Sequence, residues 1–149
     1  MSLRVIAAAL LLLAAPALAE PIEPGRIHVV DGDTIRIEGE ARSVRLVGFN
    51  TPETRRAECP AERDLGLRAS RQLRQLVTAG GLDLQFVTCA CARGTESTPR
   101  CNYGRSCGVL KARGEDVGAI LIREGLAVPF VCGKTRCPRT PRPWCSTER

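Results

Sequence analysis

Eight cysteines, Cys59, Cys89, Cys91, Cys101, Cys107, Cys132, Cys137 and Cys145, all follow residue 58 of a 149-residue chain. How they constrain the fold depends on the compartment. The chain opens MSLRVIAAALLLLAAPALA, with a basic start at Arg4, an apolar run from Val5 to Ala15 and a small-residue end, Ala17-Leu18-Ala19. That is the pattern of a secretory signal peptide, cleaved after Ala19; the run is too short to span a membrane. Export to a periplasm or beyond the cell puts all eight cysteines in an oxidising compartment. An even number there implies up to four disulfides, with the connectivity left open. Zinc is the competing use of clustered cysteines. No CxxC pair occurs and His28 is the only histidine, so disulfides are the better assignment.

Residues 20–149 are enough for one compact domain with a core of its own. We divide them into a folded domain at 20–131 and a cysteine- and proline-rich tail at 132–149. The formal net charge is +6, and the leader contributes only Arg4 to it, leaving +5. Lys111 and Lys134 are the only lysines, so the basic charge is carried almost entirely by arginine. A modest positive balance favours polyanionic partners such as nucleic acid, although charge alone does not separate that from an ordinary solvated surface.

Residues 25–30 (GRIHVV), 34–38 (TIRIE) and 42–49 (RSVRLVGF) alternate apolar and polar side chains and are separated by the turn signals Asp31-Gly32-Asp33 and Gly39-Glu40. They predict three strands in an antiparallel meander. After Pro60 the period lengthens: Leu65, Ala69, Leu73, Leu76 and Val77 fall on one helical stripe, with Pro60 and Glu62 suited to the first turn and Gly80 to the stop. LDLQFVT (82–88) and SCGVLKA (106–112) predict two more strands around a long cysteine-rich loop, and EDVGAILIREG (115–125) predicts a short helix. The tail VCGKTRCPRTPRPWCSTER has too many prolines for a helix and reads as a cross-linked strap. The order β-β-β-α-β-β-α predicts a mainly β protein with helices (α+β), built on a small five-stranded OB-fold barrel.

Asp33 leads into one strand and Asn50-Thr51-Pro52-Glu53 follows another, so a meander brings both to one end of the sheet. Hard oxygen groups on loops at such an end are what calcium prefers. Arg45, in the third strand, and Arg105, after Tyr103-Gly104, offer guanidinium forks that match phosphate oxygens. Tyr103, Phe130 and Trp144 are among few aromatic residues, which argues against an extensive base-stacking platform.

VVDGDTIRI, VRLVGFNTPET, NYGRSCGVL and VGAILIREGLA occur in an order and spacing similar to the staphylococcal nuclease (thermonuclease) family, over residues 26–128. The resemblance implies an OB barrel that hydrolyses DNA and RNA with calcium. Residue by residue, Asp33 resembles the metal-ligating aspartate, Thr51 the residue offering a backbone carbonyl to the ion, and Glu53 the carboxylate that positions or deprotonates the attacking water. Arg45 and Arg105 resemble the arginines that grip the phosphate, Asp31 an outer-shell acid and Tyr103 a phosphate-contacting tyrosine. The implied reaction expels the 5′ oxygen and leaves a 3′-phosphate end. His28, within a strand pattern, is structural.

Two departures stand out. Asn50 occupies the position of a second metal-ligating aspartate; its amide oxygen still coordinates, but one negative charge is lost, worth roughly 4 kcal/mol for a unit pair ~4 Å apart at an effective dielectric of ~20. Weak calcium affinity follows, or loss of activity. The family's C-terminal helix is replaced by the cysteine-rich tail, so disulfides stabilise what that helix would have packed. A bridge within the Cys89–Cys107 loop is further expected to hold Arg105. The leading expectation is a secreted, calcium-dependent, monomeric nuclease with little sequence preference and no membrane association once the leader is removed. The alternatives are a catalytically silent OB module that binds single strands or another anionic partner, and a disulfide-stabilised structural domain.

Overall fold

A computed structural model describes residues 20–145. The expected leader, residues 1–19, lies outside the described residues. Alternating β-branched side chains produce the first strands: β1 (Glu20–Ile22), β2 (Ile27–Asp31) and β3 (Thr34–Ile37), followed by β4 (Val44–Leu46) and β5 (Gly48–Asn50). Ile35, Ile37, Val44 and Leu46 are buried while Arg36 between them is exposed, as a one-sided sheet requires. Helix α1 (Pro60–Ala79) follows, then β6 (Leu82–Val87), β7 (Ser106–Ala112), β8 (Glu115–Asp116), α2 (Val117–Arg123) and β9 (Val128–Phe130).

The main sheet runs β1-β6-β7-β4-β3-β2, with β8 paired to β7; β5 and β9 form a second, two-stranded sheet. The predicted meander is present as antiparallel β2–β3 and β3–β4 pairs, while β4 joins β7 in parallel. This curled sheet with two helices is the expected OB-type α+β architecture. Thr34 pairs with Arg45 and Arg45 with Cys107, so three strands carry chemistry-bearing positions in one row.

The single strand expected over 42–49 is instead two. The chain leaves the main sheet after Leu46 and pairs with β9, which carries Phe49 into the core against α2 at 2% exposure. Pro129 is tolerated in β9 because a two-stranded sheet has a free edge. The second helix is shorter than expected: Asp116 caps it through the Ala119 N–H at 2.9 Å, and Glu115 belongs to a strand.

In α1, Ala69, Leu73, Leu76 and Val77 face the core, and Leu65 packs at its edge. Ile35, Val44, Leu46, Leu110, Val117 and Leu121 complete the contact from the sheet and α2. Beyond β9 the tail has no helix or strand up to Cys145. Bridges Cys132–Cys137 and Cys59–Cys145 close it, and Cys89–Cys107 and Cys91–Cys101 close the loop before β7. These four disulfides leave no free cysteine among the described residues, as an oxidising compartment permits.

Candidate active site

Gly32 makes the first approach possible. A Cβ there would lie 2.8 Å from the Thr51 side chain and 2.9 Å from Ala69 Cβ, so only glycine lets the β2–β3 turn press onto Thr51 and α1. Asp33, 8% exposed, is held in that turn. Its Oδ2 accepts from Thr51 N at 3.1 Å and Thr51 Oγ1 at 3.0 Å, and its Oδ1 accepts from Thr34 Oγ1 at 3.1 Å. Asp33 and Thr51, eighteen residues apart, therefore form one unit.

Arg45 closes the unit from β4. Its Nη2 lies 3.1 Å from Asp33 Oδ2 and donates to Phe49 O at 3.1 Å and Asn50 Oδ1 at 3.0 Å; its Nη1 donates to Leu46 O. Both terminal nitrogens are thus engaged by protein oxygens. Asn50, 6% exposed, turns Oδ1 toward Arg45 and donates through Nδ2 to Pro141 O in the tail at 3.0 Å.

Arg105 approaches from the loop before β7. Its Nη1 lies 3.4 Å from Thr34 Oγ1, within one side chain of Asp33. Burial and the nearby Arg45 guanidinium depress its pKa, against the attraction of Asp33 and Asp31; it remains a cation. Tyr103 is 81% exposed, with its ring centroid 5.5 Å from the Arg105 guanidinium carbon.

Asp31 accepts from Asp33 N at 3.1 Å. Burial and the adjacent Asp33 carboxylate push its pKa up to about 6. Two carboxylates forced together, Asn50 Oδ1 and the nearby backbone make an all-oxygen donor set. Its chemistry fits a hard divalent cation, which relieves the repulsion between the acids. Among the described residues no three His, Cys, Asp or Glu side chains gather as a metal-binding group.

Glu53 follows Thr51 by two residues and is half-buried. Its backbone N–H donates to Glu62 Oε1 at 3.3 Å. His28 lies in β2, paired with Arg36. The structure thus joins Asp31, Asp33, Arg45, Asn50, Thr51 and Arg105 through direct contacts or a single intervening side chain, and Glu53 follows Thr51 by two residues on the same loop.

Several partners escaped the sequence. Asn102 anchors Arg105: Oδ1 accepts from Nη2 at 2.7 Å, its carbonyl accepts from Nε at 3.1 Å, and Nδ2 donates to Cys107 Sγ at 3.3 Å. The Cys89–Cys107 bridge therefore reaches Arg105 through Asn102. Asn102 and Tyr103 have φ of 49° and 58°, a left-handed pair that asparagine tolerates; the Asn-Tyr-Gly turn signal was the available hint. Glu62, expected only to complement the helix start, is fully buried and paired with Arg142 of the tail at 2.8 Å. Burial alone raises its pKa, but the Arg142 hydrogen bonds and two backbone N–H donors hold it below the usual carboxylate range.

Residues 43–141 match the family model described as "Staphylococcal nuclease homologue". The chain is 36% identical over 124 residues, 83% of its length, to "Succinoglycan biosynthesis protein ExoI" of Rhizobium meliloti (strain 1021). It is 32% identical over 102 residues, 67% of its length, to "Thermonuclease" of Staphylococcus intermedius. The matches span 60% and 55% of those two proteins.

Proposed function

This chain belongs to the staphylococcal nuclease family, and on that premise we propose that it hydrolyses phosphodiester bonds of DNA or RNA outside the cytoplasm, with calcium bound and little sequence preference. One observation carries the reading. Arg45 Nη2 lies 3.1 Å from Asp33 Oδ2, and Arg105 Nη1 lies 3.4 Å from Thr34 Oγ1, which donates to Asp33 Oδ1, so both guanidiniums converge on one buried carboxylate. Two half-buried cations side by side are favourable when an anion lies between them, and a phosphodiester is such an anion.

Asp33, Asn50 Oδ1 and the Thr51 carbonyl are the groups that would hold the ion, with Asp31 as an outer acid beside them. Bound there, it would supply positive charge against the charge that develops on phosphorus and would lower the pKa of water. Arg105 receives the phosphate oxygens from one side, its fork held by Asn102. Arg45 exchanges part of its contact with the protein for the substrate, keeping Asp33 as its counter-ion. Glu53 takes the proton of the attacking water. Binding is through the backbone phosphate, so sequence is not read.

A second reading has its own support. Arg45 already pairs with Asp33 Oδ2 and Asn50 Oδ1, so Asp33 has its counter-ion without a metal. That arrangement suits a silent OB module that binds single strands. Incubating the oxidised protein with single-stranded nucleic acid, with calcium or with a chelator, separates the two. Chelator-sensitive cleavage that is lost in Glu53→Gln, with substrate binding retained, is the expected result. Strand binding with no cleavage under either condition rejects the enzyme in favour of the silent module.

A further inference from the structure

Between Asn50 and Pro60 the chain has no helix or strand, yet this segment carries Thr51 and Glu53. Its shape is set from below by one carboxylate. Glu62 Oε1 accepts from Glu53 N at 3.3 Å and Oε2 from Glu58 N at 2.7 Å. Arg142 binds the same carboxylate from the tail, through Nε to Oε1 at 3.0 Å and Nη2 to both oxygens at 2.8 Å. The same Nη2 also donates to Arg56 O at 2.9 Å, and Nη1 lies 2.8 Å from Glu58 Oε1.

Gly66 lets the helix come close enough for this. A Cβ there would lie 2.6 Å from Pro52 O and 3.0 Å from Glu53 O. The Cys59–Cys145 bridge then fixes the tail three residues beyond Arg142, and Cys59 Sγ also accepts from Glu62 N at 3.4 Å as the helix cap.

A buried ion pair is a poor stabiliser, because an apolar pair of similar volume does as well. What an apolar pair could not do is hold the N–H groups of Glu53 and Glu58 at fixed points. We propose that Arg142, acting through the buried Glu62 carboxylate, is a positioning residue for Glu53, so that the cysteine-rich tail sets where this carboxylate meets the substrate. The inference rests on the reading of Glu53 as the base given above.

The test compares Arg142→Ala, Arg142→Lys and, as a control in the same tail, Cys132→Ser/Cys137→Ser. Each is assayed on single-stranded DNA with calcium, below its melting temperature, with backbone amide exchange followed by NMR. For Arg142→Ala, kcat is expected to fall about 10- to 100-fold with KM within about threefold, since a base displaced by about 1 Å loses that much. Exchange at the Glu53 and Glu58 amides should quicken about tenfold as their acceptor loosens. Arg142→Lys should recover part of kcat, because an ammonium pairs with the carboxylate without the fork. The control should stay within about twofold of the parent, as one exposed short bridge away from the segment. An unchanged kcat, or a fall in kcat with unchanged exchange at Glu53, overturns the proposal. If Arg142→Ala does not fold, Glu62→Gln keeps one acceptor oxygen and is held to the same two criteria. If the parent protein cleaves nothing, the base assignment fails by itself, and amide exchange alone decides whether the tail orders Glu53.

Discussion

Asn50 Nδ2 donates to Pro141 O at 3.0 Å, tying the oxygen-rich corner to the tail ninety-one residues downstream. An amide is needed for this, because it accepts from Arg45 with one end and donates to Pro141 with the other. A carboxylate would set an anionic oxygen against a carbonyl. The amide at position 50 and the cysteine-rich tail, the two departures that the resemblance implies, therefore meet in one hydrogen bond.

Asn50→Asp should act in opposite directions on the free and calcium-loaded protein. Without calcium the lost donor and the facing carbonyl should lower stability by about 1–3 kcal/mol. With calcium the added charge should tighten binding, so Tm should rise more with calcium than the parent's does. Thermal melts with and without the ion give both numbers. Equal calcium shifts in the two proteins would exclude residue 50 as a ligand.

Asp33 is the acceptor on which Thr51, Thr34 and Arg45 converge. Asp33→Ala leaves a half-buried guanidinium without its counter-ion and is expected to destabilise by about 3–5 kcal/mol, with activity abolished. Urea unfolding at neutral pH measures the loss. A change below about 1 kcal/mol would mean that Arg45 finds other compensation.

Asn102→Ala removes the Oδ1 that holds Arg105 Nη2 and the Nδ2 contact to Cys107. The fork is then less well ordered before substrate arrives. We expect KM to rise about tenfold, one hydrogen bond to a charged group, and stability to fall by about 1–2 kcal/mol because alanine tolerates the left-handed backbone less well than asparagine. Steady-state kinetics on single-stranded DNA would show it, and an unchanged KM would detach Arg105 from phosphate binding.

Acid should act through Glu62. Its pKa in the folded protein lies below the ordinary 4.5 because Arg142 and the Glu53 and Glu58 N–H groups favour the carboxylate. A depressed carboxyl contributes stability that is fully present above about 4.5 and is lost as pH falls through the folded value. The stability difference between the parent and Glu62→Gln should therefore be level from about pH 5 to 8 and shrink below 4.5. Urea melts across that range provide the check, and a gap that widens toward acid reverses the assignment.

The strands were legible because Ile35, Ile37, Val44 and Leu46 repeat with period two, and α1 because Ala69, Leu73, Leu76 and Val77 repeat with the period of a helix. Such patterns are local, and one buried face is enough to impose them. The acids and arginines of the candidate site were legible as motifs, and the turn at Asp31-Gly32-Asp33 as a turn. The break after Leu46 was not, since β5 is defined by a partner, β9, nearly eighty residues away. Nor were the cysteine pairings, the bond from Asn50 to Pro141 or the burial of Glu62 beneath Arg142. The sequence by itself determined β2, β3, β4, β6, β7 and the two helices, and which side chains carry charge. Only the tertiary structure decided which charges meet, because hydrogen bonds and ion pairs act over a few ångströms in space and leave no periodic trace along the chain.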